Sequence, residues 1–394
     1  MQKWRVAVSF LVILQLSLWL PGTHFAQASP MPSVSAWTGI CQLLEEQVKA
    51  VRADDKQGYL STLSGENPLF IQEEAHWFDD AVQVLTASSR FTRRVVEIEE
   101  SPTSMPRHSA LAKVVQQYRD GDLRQAVYWE VYRMEGGEWK DVGRYFREVK
   151  EGAMLIHYAD KRDAELASLV ATTGNEIVRA LKSRFGWNPQ GLVEVNLYDD
   201  AEVFRQSVKL SLPRWAVGWN EYGESIKFLV LPEPYDREQI PQGIAHEMVH
   251  KMLGEMTLDN AAYWLQEGMA EYYASLLMAE SEPLQAKEMP LGNGQLWSLP
   301  QLMEQELETL PHEQALQYYV QSRRLVEFMI HEYGETALRQ IMSRLSEYPY
   351  LARTTAEKQE ELNRRTASAM EEVLGISIAE FSRQWEEQLI QSIG

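Results

Sequence analysis

"AHEMVHKMLGEM" (Ala245–Met256) and "YWLQEGMAEYYA" (Tyr263–Ala274) decide how this chain is read. The first holds His246 and His250, four residues apart, with Glu247 beside the first histidine. On a helix that spacing leaves the two imidazoles about 40° apart, pointing the same way. Ile244, Ala245, Met248, Val249 and Met252 fall on the opposite arc, so the helix should bury that stripe and turn its histidines into a space between elements. Two imidazoles so placed can reach one Zn²⁺, and Glu247 stands to one side, where it can take a proton from a water on the metal.

Zinc in hydrolases keeps three protein ligands and one open position, so a third ligand is required. No histidine follows soon after His250, and Gly254 comes one residue too late for a metzincin pattern. Glu267 and Glu271 stand four apart on a second helix, hence on one face. Spacing alone does not choose between them. Gly268 lowers helix propensity by about 1 kcal/mol relative to Ala, and a close approach of two helices around a shared metal would explain its presence.

Outward from these helices, "LVEVNLYDD" (Leu192–Asp200) and "SIKFLVLP" (Ser225–Pro232) are strand candidates, and "AELASLVATTGNEIVRALKSRFG" (Ala164–Gly186) is an amphipathic helix with a glycine stop. Before Asp160 the texture differs. Ile40, Leu43, Leu44, Val48 and Val51 recur at helical spacing, and a second helical stretch begins at Glu73. Then "FTRRVVEIEE", "ALAKVVQQYRDG", "LRQAVYWEVYRMEGGEWK" and "GRYFREVKEGAMLIHY" alternate polar and apolar residues around Asp120-Gly121, Gly136-Gly137 and Glu151-Gly152. That pattern predicts an antiparallel meander. The expected architecture is α+β, with a domain over residues 29–159 and a mainly helical one over 160–394 that carries a small strand lobe.

Lys3 and Arg5 followed by an apolar run to Leu20, and then Ala26-Gln27-Ala28 before Ser29, read as a cleaved signal peptide over residues 1–28. The run is short for a bilayer span. The mature chain is expected outside the cytoplasm, secreted or in the cell envelope, with no membrane span. Net charge is −19, which argues against a nucleic-acid partner. Cys41 is the only cysteine and is expected as a buried thiol on the first helix, with no disulfide. His76, His108, His312 and His331 lie outside the motif and are expected at the surface or in packing rather than as ligands.

His246-Glu247-x-x-His250 followed by Trp264-Leu265-x-Glu267-Gly268-x-Ala270-Glu271-Tyr272 resembles the gluzincin metallopeptidases, nearest the peptidase-MA-like type, with aminopeptidase-N and thermolysin more distant. "NLYDDAEVFRQ", "WAVGWNEYGESIKFLVLP" and "YYVQSRRLVEFMIHEYGETALRQIM" extend the likeness over roughly residues 160–345. The resemblance implies that His246, His250 and Glu267 bind zinc, that Glu247 is the general base, and that Glu271 orients a ligand histidine. It also puts Tyr319, with Tyr318 as alternate, in the place of an oxyanion donor, although a tyrosine at helical spacing also suits core packing. The substrate implied is a peptide or protein. "GWNEYGES" departs from the Gly-x-Met-Glu-Asn strand of aminopeptidase-N enzymes, so the exopeptidase reading is not supported. "SIKFLVLP" is expected to be able to take an extended substrate as an added strand. The N-terminal part, through "AVRADDKQGYLSTL" (Ala50–Leu63) and its order of elements, resembles the nuclear-transport-factor-2-like cone fold. A different class stays open: a binding protein whose zinc site is degenerate or structural.

Overall fold

Two sheets divide the strands of this α+β chain, and the computed structural model describes residues 34–393 apart from 87, 101–104, 107, 231–238, 282–295 and 353–354. The expected signal segment and the cleavage point before Ser29 lie outside the described residues. The chain opens with helices α1 (Val34–Ala53), α2 (Lys56–Ser61) and α3 (Pro68–Val84). Asn67 caps α3 by accepting from the Leu69 and Phe70 amides, with Pro68 at its first position. Strands β1 (Thr92–Glu100), β2 (Ser109–Asp120), β3 (Asp122–Glu135) and β4 (Glu138–Arg144) follow and pair antiparallel in that order. Ile40, Leu43 and Leu44 of α1 bury against Val95, Ala112, Val114 and Tyr132, so the first part of the helical stripe read from sequence covers this sheet, while Val48 and Val51 join the cluster of Tyr59, Trp77 and Phe78. Cys41, free and only half-buried, stands at the edge of that contact rather than in the core, because it flanks the stripe instead of belonging to it.

The meander expected from sequence ends at Arg144. Its last hairpin, β5 (Arg147–Glu151) and β6 (Met154–Tyr158), joins a second sheet instead, with β7 (Val193–Tyr198), β8 (Gly218–Trp219) and β9 (Ile226–Leu229) in the order β5-β6-β7-β9-β8. Alternation along a strand shows which face is buried but not which strand lies beside it. Here Met154, Ile156 and Tyr158 turn into the large core around β7, and β6 pairs with β7 in parallel. Parallel strands need crossovers, which α4 (Ala164–Phe185) and α5 (Ala201–Val208) supply between β6 and β7 and between β7 and β9. A second expectation changes with this topology. The segment Ser225–Pro232 contains β9, which among the described residues is flanked by β7 and β8 and so offers no free edge to a substrate; the edge strands of this sheet are β5 and β8.

Helices α6 (Gln239–Thr257), α7 (Tyr263–Ser281), α8 (Leu299–Met303), α9 (His312–Leu345), α10 (Thr355–Leu374) and α11 (Ile378–Ile393) complete the chain. α6 and α7 lie side by side, and both contribute fully buried side chains to one core with the second sheet, α4 and α9: Ile244, Ala245, Met248, Val249 and Met252 from α6, Trp264, Leu265 and Met269 from α7. Gly268 was expected to bring α7 towards the metal. It faces the other way: a Cβ there would lie 2.2 Å from the Ser322 carbonyl oxygen and 2.7 Å from Val326 Cγ2, so the missing side chain lets α7 close onto α9. No helix among the described residues is long and apolar enough to cross a membrane.

Candidate metal centre

α6 and α7 bring four side chains together, three of them around one point. His246 and His250 leave α6 on the arc opposite its buried stripe, and their Nε2 atoms come 3.0 Å apart. Glu267 Oε2 stands 3.3 Å from His246 Nε2 and 3.2 Å from His250 Nε2. Four donors at the corners of a tetrahedron, each about 2.0–2.1 Å from a zinc ion, are about 3.3 Å from one another. Three separations of 3.0, 3.2 and 3.3 Å therefore match one face of such a tetrahedron. Glu271 takes a different position. Its Oε1 lies 3.1 Å from His246 Nδ1, where it accepts the proton of that nitrogen, so that Nε2, which faces Glu267 and His250, is the nitrogen available to a metal.

Charge supports the same use. Among the described residues, no lysine or arginine forms an ion pair with Glu267 or Glu271; both carboxylates face histidine. Burial alone would depress the His246 pKa, yet hydrogen bonds to Glu267 and Glu271 and their charges hold it well above its usual value. Burial acts to raise Glu267 but is outweighed by His250 and His246, which hold it down at about 2. The cluster stabilises positive charge at the point where the three donors meet. Two imidazoles and a carboxylate form a donor set that suits zinc.

Glu247 is buried on α6 and, among the described residues, has no hydrogen-bond or ion-pair partner. Burial is the main cause of its raised pKa. Its carboxylate fits because β8 passes close by: a Cβ on Gly218 would come 2.0 Å from Glu247 Oε1 and 2.7 Å from its Cδ. Sequence reading did not single out Gly218, since its reason for being glycine lies 29 positions further along the chain.

α9 supplies the remaining wall. The Tyr319 ring packs edge-on to His246 at 6.1 Å between centroids and edge-on to Trp215 at 6.3 Å. Burial, then the charges of Glu267, Glu247 and Glu271, keep its phenol well above the usual tyrosine pKa, so it remains a donor. Tyr318 is fully buried in the core. Gly268 accounts for this placement, because Ser322, on which α7 closes, lies one turn beyond Tyr319 on α9.

The other histidines separate into two kinds. His108, His312 and His331 are exposed; His312 stacks against Trp215 and His331 meets Glu332. His76 is not a plain surface or packing residue: its Nδ1 meets Glu224 and Glu221, carboxylates from a loop almost 150 residues away. No motif on α3 announces that pairing, since neither partner sits at helical spacing from His76.

No known family model matches the chain, and no curated protein matches it. Among solved structures it is similar to Legionella pneumophila aminopeptidase A in complex with aspartic acid, at 12% identity and a TM-score of 0.40, over 75% of this chain and 32% of that one. It is also similar to native yeast LTA4 hydrolase, at 10% identity and a TM-score of 0.38, over 74% of this chain and 46% of that one. The chain thus spans less than half the length of either.

Proposed function

We propose that the chain is a zinc-dependent peptidase of the gluzincin type, with His246, His250 and Glu267 holding the metal. The observation that carries the reading is the set of three donors 3.0–3.3 Å apart, beside a buried carboxylate that has no partner of its own. When bound, zinc supplies Lewis acidity for attack of water on a peptide carbonyl.

The chain's own residues supply the rest. Glu247 takes a proton from the attacking water, and its raised pKa suits it to pass that proton on to the departing amine. Tyr319, held protonated, donates to the oxyanion that develops at the carbonyl. Glu271 keeps His246 in the tautomer whose Nε2 is free. The open edge of β8, beside Glu247, offers backbone groups to an extended peptide. The substrate class is therefore peptides or proteins. The Ala26-Gln27-Ala28 signal supports export, with a mature chain starting at Ser29 that acts in the envelope or outside the cell.

A zinc that only braces the fold gives no reason for Glu247 to be buried and unpaired beside the donors. Glu247→Gln tests this: the variant should retain its zinc and lose peptide cleavage by about 10²-fold or more. Cleavage at the parent rate would remove Glu247 as the base and return the site to a structural role.

A further inference from the structure

A second cluster of donors sits where α3 meets the loop between β8 and β9. Glu221, Tyr222, Gly223 and Glu224 form a turn closed by the Glu224 amide donating to the Glu221 carbonyl at 3.1 Å, with Gly223 at φ +79°. That φ is in the region that favours glycine, and the turn sets two carboxylates side by side. α3 holds the turn from outside. Gln72 Nε2 donates to the Tyr222 carbonyl at 3.2 Å, and Glu73 Oε1 accepts from the Ser225 amide and hydroxyl at 2.9 and 2.5 Å. His76 Nδ1 lies 2.5 Å from Glu224 Oε1 and 3.3 Å from Glu221 Oε2. From the inner side, Lys251, next to His250 on α6, donates to the Glu224 carbonyl at 2.9 Å.

Glu73 and Glu224 share one buried ammonium, Lys227, which bonds Glu224 Oε2 and lies 2.9 Å from Glu73 Oε1. Lys227 occupies one oxygen of Glu224 and leaves Oε1 facing His76 and Glu221. The Glu221 and Glu224 carboxylates repel one another, and a proton on His76 or a divalent cation between them relieves that repulsion.

We propose that His76 Nδ1, Glu221 Oε2 and Glu224 Oε1 form a second divalent-metal site, of the zinc class, separate from the centre on α6 and α7. One ligand atom from each of the three side chains lies within 4.8 Å of the other two. An imidazole with two carboxylates is a donor set that zinc accepts. The Glu224 side chain is 5% exposed and anchored, whereas those of His76 and Glu221 are 35% and 38% exposed, so an ion can enter from solvent and keep water on its outer side. Binding sets the three ligands around one centre, widening the 2.5 Å approach of His76 Nδ1 to Glu224 Oε1 and replacing the hydrogen bond between them. It ties α3 to the loop after β8, the strand whose Gly218 adjoins Glu247.

Zinc stoichiometry after saturation and gel filtration tests the proposal on the full chain. The parent should retain two equivalents, Glu221→Ala and His76→Gln one each, and Glu267→Ala also one, by loss of the other ion. Glu221 is a partly exposed ligand on a turn, so its truncation leaves the fold intact and keeps the test valid even where His76→Gln folds poorly. A parent with a single equivalent, lost in Glu267→Ala and unchanged in Glu221→Ala, overturns the second site. If Glu267→Ala keeps two equivalents and Glu221→Ala keeps one, the second site stands and the reading of the α6–α7 centre falls instead.

Discussion

Two of the buried groups of charged side chains among the described residues are neutralised in opposite ways. In the N-terminal sheet, Arg93 of β1 pairs with Glu130 of β3 at 2.5 Å and stands 3.8 Å from Asp141 of β4. Gln47 of α1 accepts from Arg93 and donates to Asp141, and the Tyr132 hydroxyl donates to Glu130 at 2.5 Å. Arg144 adds a second cation, 3.5 Å above the Tyr128 ring. Every carboxylate there has a partner supplied by the protein. Around His246 and His250 the carboxylates Glu267 and Glu271 meet only imidazoles among the described residues, and the positive charge is left to come from elsewhere. Buried charges are costly unless compensated. A cluster that brings its own arginines braces a fold, whereas one that lacks them has a place for a cation.

The largest effect that sharpens this contrast is the loss of Glu267. Glu267→Ala leaves two donors, and metal analysis should find the zinc equivalent held at this centre gone and peptide cleavage with it. A variant with undiminished zinc would erase the difference between the two clusters. The matching change in the other cluster is Arg93→Met, which strands Glu130 and Asp141 in the interior. Denaturant unfolding should show a loss of about 3–5 kcal/mol, as when one partner of a buried pair is removed, with the zinc content unchanged. A loss under about 1 kcal/mol would mean that the pair behaves as a solvated surface pair.

Tyr319→Phe probes the wall of the metal centre at smaller cost. The expected result is a kcat lowered by about 10²-fold with KM nearly constant, the pattern of a donor used only in the transition state. An unchanged kcat would assign Tyr319 to packing against Trp215. Glu271→Ala should have the mildest effect, because it removes the partner of His246 Nδ1 and none of the three converging donors. Zinc titration should show affinity weaker by about 10–100-fold with the site still loadable. If Glu271→Ala is metal-free while Glu267→Ala binds normally, the two glutamates exchange roles.

Much of this was readable along the chain wherever the physics is local. The amphipathic stripe of α1, the glycine that stops α4 at Gly186 and the strands at Val193–Tyr198 and Ile226–Leu229 follow from periodicity and capping within a few residues. Pairing was not readable in the same way. Arg147–Tyr158 alternates like the strands before it, and only its contact with β7 assigns it to the second sheet.

The sequence by itself determined that His246 and His250 share one face of a helix and that Glu267 and Glu271 share one face of another, because helical pitch relates residues four apart whatever surrounds them. It determined as well that the stripe from Ile244 to Met252 would be buried. Tertiary structure alone decided which glutamate meets both Nε2 atoms and which meets His246 Nδ1, since that depends on how α7 is set along α6. It turned Gly268 towards α9 rather than towards the metal helix, left Tyr319 rather than Tyr318 facing the site, made Gly218 the residue that gives Glu247 room, and brought His76 to Glu221 and Glu224. Each of these is a contact between segments far apart in the chain. Such contacts are set by the packing of side chains from both segments, and no periodicity within either one encodes them.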